Sequence, residues 1–122
     1  MRLLGPIAVA TAGVDGSATG EATTSIILTG ELRAVHVANS AGQGATTTVT
    51  ITTVGTNAPA KTLFAKGSKP AGWFNPVAAQ HLNTDGSALL FYDYQVVNDY
   101  VKVALTLADN AETTTVYLEL ED

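Results

Sequence analysis

The 122-residue sequence predicts an all-β protein: an antiparallel β-sandwich, jelly-roll-like fold or small barrel, preceded by an extended N-terminal arm. Three observations carry that expectation. Apolar residues alternate with polar ones at period 2 in several runs. No window of helical length shows the apolar spacing of an amphipathic helix. Thr, whose branched Cβ favours strands, is used heavily.

The first residues, Arg2-Leu3-Leu4-Gly5-Pro6-Ile7-Ala8-Val9, are apolar. They are too few for a bilayer span of about 20 residues and short for a secretory signal, so they read as an extended segment or strand. Residues 11–25 almost lack large apolar side chains and cannot build a core of their own. Residues 1–25 are therefore expected as an arm, or as a strand paired mainly through its backbone, and 26–122 as a single β domain. Within that domain, Ile26-Ile27-Leu28 opens the β region and residues 32–37 form an apolar-rich strand. Residues 46–54 alternate Thr with Val49 and Ile51. The turn residues Asn39, Ser40, Gly42 and Gly44 between them predict a hairpin with a long loop.

The stretch 55–90 is irregular and holds Pro59, Pro70 and Pro76. Residues 61–65 read as a short strand, 76–81 as one helical turn at most, and 83–87 as a turn around Gly86. Residues 100–107 place Val101, Val103, Leu105 and Leu107 on one face. Residues 113–121 place Val116, Leu118 and Leu120 inward and Tyr117, Glu119 and Glu121 outward. With a turn at 108–111, these two runs predict a second hairpin with one wet face.

Composition excludes several chemistries. Without Cys there is no disulfide framework, thiolate nucleophile or Cys-based metal site. His36 reads as a strand-face residue, and His81, near Asp85, lacks a Gly-x-Ser-x-Gly nucleophile to serve. Asp93 and Asp99 read as turn and cap residues rather than a calcium pair. The chain is thus expected to be no enzyme and to carry no cofactor or metal. A net charge of −5 with only 6 Lys and Arg argues against nucleic acid. No membrane partner is expected. The scarce charge is segregated: residues 32–84 carry +4 and no acid, and residues 85–122 carry −7. In an oligomer, such complementarity would set register and partner choice.

Trp73-Phe74, inside a Pro/Gly-rich segment, is the sharpest local feature. It reads as a plug closing one end of the domain, as an interface anchor, or as a sugar platform. The run Gly30-Glu31-Leu32-Arg33-Ala34-Val35-His36-Val37, then Thr47 through Thr53, resembles small virion proteins of tailed bacteriophages. The ending from Val97 through Lys102 to Glu121 does so too. The resemblance, a pattern of strands and turns over residues 26–121, is to capsid decoration (cement) proteins. It implies a structural protein on the capsid surface, bound to the major capsid protein, often trimeric, with an N-terminal arm reaching onto capsid subunits. Leu3, Leu4, Ile7 and Val9 would then anchor the arm, with Lys61, Lys66, Lys69, Trp73 and Phe74 as further contacts. The alternatives are a carbohydrate- or surface-binding β-module and another virion role at the neck or tail.

Overall fold

The computed structural model describes residues 1–79, 84–87 and 92–122, with no side-chain account of 78 and 79. Its strands, in chain order, are β1 (Arg2–Ala10), β2 (Ala18–Thr23), β3 (Leu28–Asn39), β4 (Thr48–Thr53), β5 (Thr62–Lys66), β6 (Gly72–Phe74), β7 (Val77–Ala79), β8 (Tyr92–Asp99), β9 (Val101–Ala108) and β10 (Thr113–Glu121). They form two antiparallel sheets packed as a sandwich, not a closed barrel. One sheet has the order β1-β10-β3-β8-β7, and the other β2-β9-β4-β5. The long β3 takes two partners on one edge: Leu28–Leu32 pairs with β8, and Val35–Val37 pairs with β6, the sixth strand of that sheet.

The period-2 pattern places the core as expected. Val116, Leu118 and Leu120 of β10 face Val101, Val103 and Leu105 of β9 across the sandwich, joined by Leu32, Val35, Val37, Val49, Ile51, Leu63 and Val97. Gln95 of β8 crosses between layers, donating from Nε2 to the Leu63 carbonyl at 2.8 Å.

Several expectations are corrected. Residues 1–25 are not a free arm: β1 pairs with β10, and β2 pairs with β9. Val9 is only 1% exposed and sits in the core. The two expected hairpins are absent. β3 lies in the larger sheet and β4 in the smaller; β9 lies in the smaller and β10 in the larger. Each of these turns is an arch that carries the chain over the core. The reason is packing: two one-faced strands bury their apolar sides equally well side by side or face to face. Residues 77–79 are strand β7 rather than part of a helical turn.

The alternation of β9 also breaks at its end. Leu107 adopts φ 53°, is 51% exposed and leaves Ala108 to turn inward. The β2–β9 register shifts there, between Ala18↔Ala108 and Gly20↔Leu105, as a β-bulge does. Opposite it, Gly20 permits β2 to pass under β1, since a Cβ there would stand 2.3 Å from the Ala10 carbonyl oxygen.

Buried polar side chains lock the two ends of the sandwich. At one end, Gln43 Oε1 accepts from the Gly44 and Asp109 amides at 3.0 and 3.2 Å. Its Nε2 donates to Thr114 Oγ1 at 3.1 Å, and that hydroxyl donates to Asn39 Oδ1 at 2.7 Å. Asn39 Nδ2 completes the chain at the Pro70 carbonyl, 2.8 Å away. At the other end, the buried Asp99 carboxylate accepts from the Gly55, Tyr100 and Asn57 amides at 2.7, 2.7 and 3.3 Å. Burial raises its pKa, but the amides of Gly55, Tyr100, Asn57 and Ala58 outweigh burial and hold it below the usual carboxylate value.

Candidate interaction surface

The two faces of each strand explain where the expected contact residues lie. On β6, consecutive residues point to opposite sides. Phe74 therefore turns inward onto the core, its ring 5.1 Å from that of Phe64, while Trp73 turns outward and is 59% exposed. The plug and the anchor were alternatives for the pair; the strand gives one role to each residue. On β1, Leu4 and Ile7 oppose Leu118 and Val116 and pack on the core with Val9. Leu3 opposes Glu119 and stays exposed on the outward face.

That outward face of the larger sheet carries a row of rings perpendicular to the strands. Trp73 pairs with His36, and His36 pairs with Tyr117. The Trp73 and His36 centroids are 4.7 Å apart at an interplanar angle of 57°, and His36 and Tyr117 are 6.1 Å apart at 61°. Cross-strand aromatic pairs of this kind stabilise a sheet while presenting apolar surface. The row runs on to β1, where Gly5 at φ 136° passes the Tyr117 ring; a Cβ there would stand 2.9 Å from Cδ1.

A second row lies beside it. The Arg33 guanidinium sits 4.3 Å above the Tyr94 ring and bridges Glu121 at 2.7 Å and Glu31 at 3.1 Å. Partial burial works against its charge, and Glu121 and Glu31 outweigh that, raising its pKa. Val77 opposes Tyr94, and Val96 opposes Glu31. Leu3, Trp73, Val77, Tyr92 and Val96 are all exposed on this one face. Scattered exposed apolar residues are ordinary; a shared face of them marks a contact surface.

The lysines stand elsewhere. Lys61 precedes β5, Lys66 ends it, and Lys69 follows it with its amide on the Thr47 carbonyl at 2.8 Å. Among the described residues none of the three forms an ion pair. They flank an edge strand, where lysine also discourages edge-to-edge pairing. The structure therefore brings Leu3 and Trp73 onto one surface and leaves Leu4, Ile7, Val9 and Phe74 inside and the lysines at the far edge. His81 lies outside the described residues. Asp93 is exposed and caps the Tyr94 amide at 2.7 Å, whereas Asp99 is buried, so the two do not converge. Among the described residues no group of three or more His, Asp and Glu side chains is placed to hold a metal ion.

In the sequence His36 and Tyr117 are strand-face residues 81 positions apart, with nothing local to say that they stand side by side. Their common signal is parity: His36 and Tyr117 each lie between two buried aliphatic neighbours, which puts them outward once the strands share a sheet, whereas Tyr94, between Asp93 and Gln95, carries no such signal. No family model, curated protein or solved structure matches this chain.

Proposed function

We propose that this chain is a structural subunit that docks on a larger protein assembly through the outward face of its six-stranded sheet. The resemblance to decoration proteins makes that assembly a tailed-bacteriophage capsid, the partner its major capsid protein, and the site the head surface. Trimers of the chain belong to the same reading. One observation carries it: Trp73 is more than half exposed at the end of an ordered ring row, on a face that also exposes Leu3, Val77, Tyr92 and Val96. Exposed aromatics framed by charged groups are the make-up of interface hot spots. Tilts of 57° and 61° between successive rings favour an irregular protein surface over a flat polysaccharide, which stacks on coplanar rings.

Since β1 is part of the sheet, truncating the N-terminus would test folding rather than docking. Point substitutions are the right tool. Co-sedimentation with capsids lacking the chain should show saturable binding by the wild type. Trp73→Ala should weaken it about 30-fold, the loss of a hot spot worth about 2 kcal/mol, while the lost ring pair with His36 lowers the melting temperature by only about 1–4 °C. Unchanged binding by Trp73→Ala and by Leu3→Ser would refute the face. Retention on a glycan array that Trp73→Ala abolishes would favour the carbohydrate module instead.

A further inference from the structure

The outward face of the four-stranded sheet has a different chemistry. Register sets Thr23, Lys102, Thr52 and Thr62 side by side across β2, β9, β4 and β5. The loop 54–61 stands at the end of that row and brings Lys61 and Val54 against it. Together they enclose an open cleft of about 430 Å³.

Among the described residues the cleft is lined by two lysines, four threonines and no carboxylate-bearing side chain. Among the described residues, the Lys61 ammonium forms no ion pair. The hydroxyls of Thr23, Thr52 and Thr62 likewise have no hydrogen-bond partner among those residues. Lys102 has one loose contact, 3.9 Å to Glu21, which does not line the cleft. The wall is fixed rather than floppy. Asp99 holds the Gly55 and Asn57 amides, and Thr53 Oγ1 accepts the Lys61 amide at 2.8 Å.

We propose that this cleft binds a tetrahedral oxyanion, phosphate or sulfate, free or as a sugar ester. The donors are of the required kind: lysine serves as a point charge for phosphate, and hydroxyls complete the oxygen shell. A cleft lined by one sign of charge concentrates the opposite ion even on a chain whose net charge is −5. Its volume falls within the range of small-molecule sites, about 300–1,000 Å³. A wall anchored by a buried carboxylate lowers the ordering cost of binding. The site lies on the opposite side of the sandwich from the ring row, so it stands or falls independently of the docking reading.

The test is an amide-shift titration of the full chain with inorganic phosphate and inorganic sulfate, against chloride at matched ionic strength. Glucose 6-phosphate and glucose form a second pair of probes. The expected result is saturable movement of the Lys61, Thr52, Thr62 and Lys102 amides with a Kd of about 1 mM, absent with chloride and glucose. Lys61→Met and Lys102→Met should each raise Kd about tenfold, and Glu21→Gln should lower it. Tighter binding of glucose 6-phosphate than of phosphate assigns the site to an ester; equal binding assigns it to the free ion. Linear, unsaturable shifts like those of chloride would overturn the proposal, as would wild-type affinity in a folded Lys61→Met, Lys102→Met double variant.

Discussion

Gln43→Leu should cost far more than its polarity suggests. The residue is 4% exposed, and leucine fills nearly the same volume, so packing changes little. What changes is hydrogen bonding. The Gly44 and Asp109 amides lose their acceptor, and Thr114 Oγ1 loses a donor. An unsatisfied buried donor costs about 1–3 kcal/mol. Asp109 is only half-buried, so water recovers part of its share, and the expected total is about 2–4 kcal/mol. An unfolding entropy of about 2.1 cal/mol/K per residue gives this 122-residue chain about 0.26 kcal/mol/K. The melting temperature should therefore fall by about 8–15 °C. Thermal and urea melts measure it, with an unchanged urea slope showing that only stability moved. Thr114→Val should be non-additive with Gln43→Leu in a double-mutant cycle, because both cut the same chain of bonds. A loss below about 1 kcal/mol for Gln43→Leu would refute the reasoning, by showing that water replaces the side chain.

Two further outcomes follow from backbone geometry and from charge. Leu107→Gly should stabilise the fold by about 1 kcal/mol in urea melts, because Leu107 holds a left-handed φ of 53° that costs a side-chain-bearing residue about 1–2 kcal/mol. Asp99 has a folded pKa below its unfolded value, so its contribution is complete above the ordinary carboxylate pKa of about 4 and is lost as pH falls through the lowered value. Urea midpoints measured from neutral pH downward should drop in acid, and Asp99→Asn should be less stable at neutral pH with a shallower acid drop.

The faces of this fold were legible in the sequence and the neighbours were not. Val116, Leu118 and Leu120, and Val101, Val103 and Leu105, are inward because alternation reports which side of a strand is buried. It does not report which strand lies alongside. An arch and a hairpin bury the same residues, so the β3–β4 and β9–β10 turns looked like hairpins. The arm expectation for residues 1–25 rests on the lack of large apolar side chains in 11–25, and such a stretch can still pair through its backbone, as β2 does with β9. Leu107 was placed inward by parity, and a single bulge reversed it. For the contact surface, the sequence offers Trp73-Phe74 as an aromatic pair in a Pro/Gly-rich segment. The row Trp73 completes needs β6 beside β3 and β3 beside β10, a three-strand register no local pattern encodes.

The pairing of β1 with β10 also governs how the chain reaches its fold. The first strand of the larger sheet has no partner in that sheet until the tenth has been made, and β3, which can pair early with β6 only over Val35–Val37, waits for β8 and β10 along the rest of its length. Until then a nascent chain leaves Val9 and Leu32 poorly covered, because the early β4–β5 hairpin belongs to the other sheet. Such non-local pairing places folding in the slow class of all-β domains, milliseconds to seconds. Few charges and many strand-forming residues would make that interval the period of greatest risk of association, and a low expression temperature the simplest way through it.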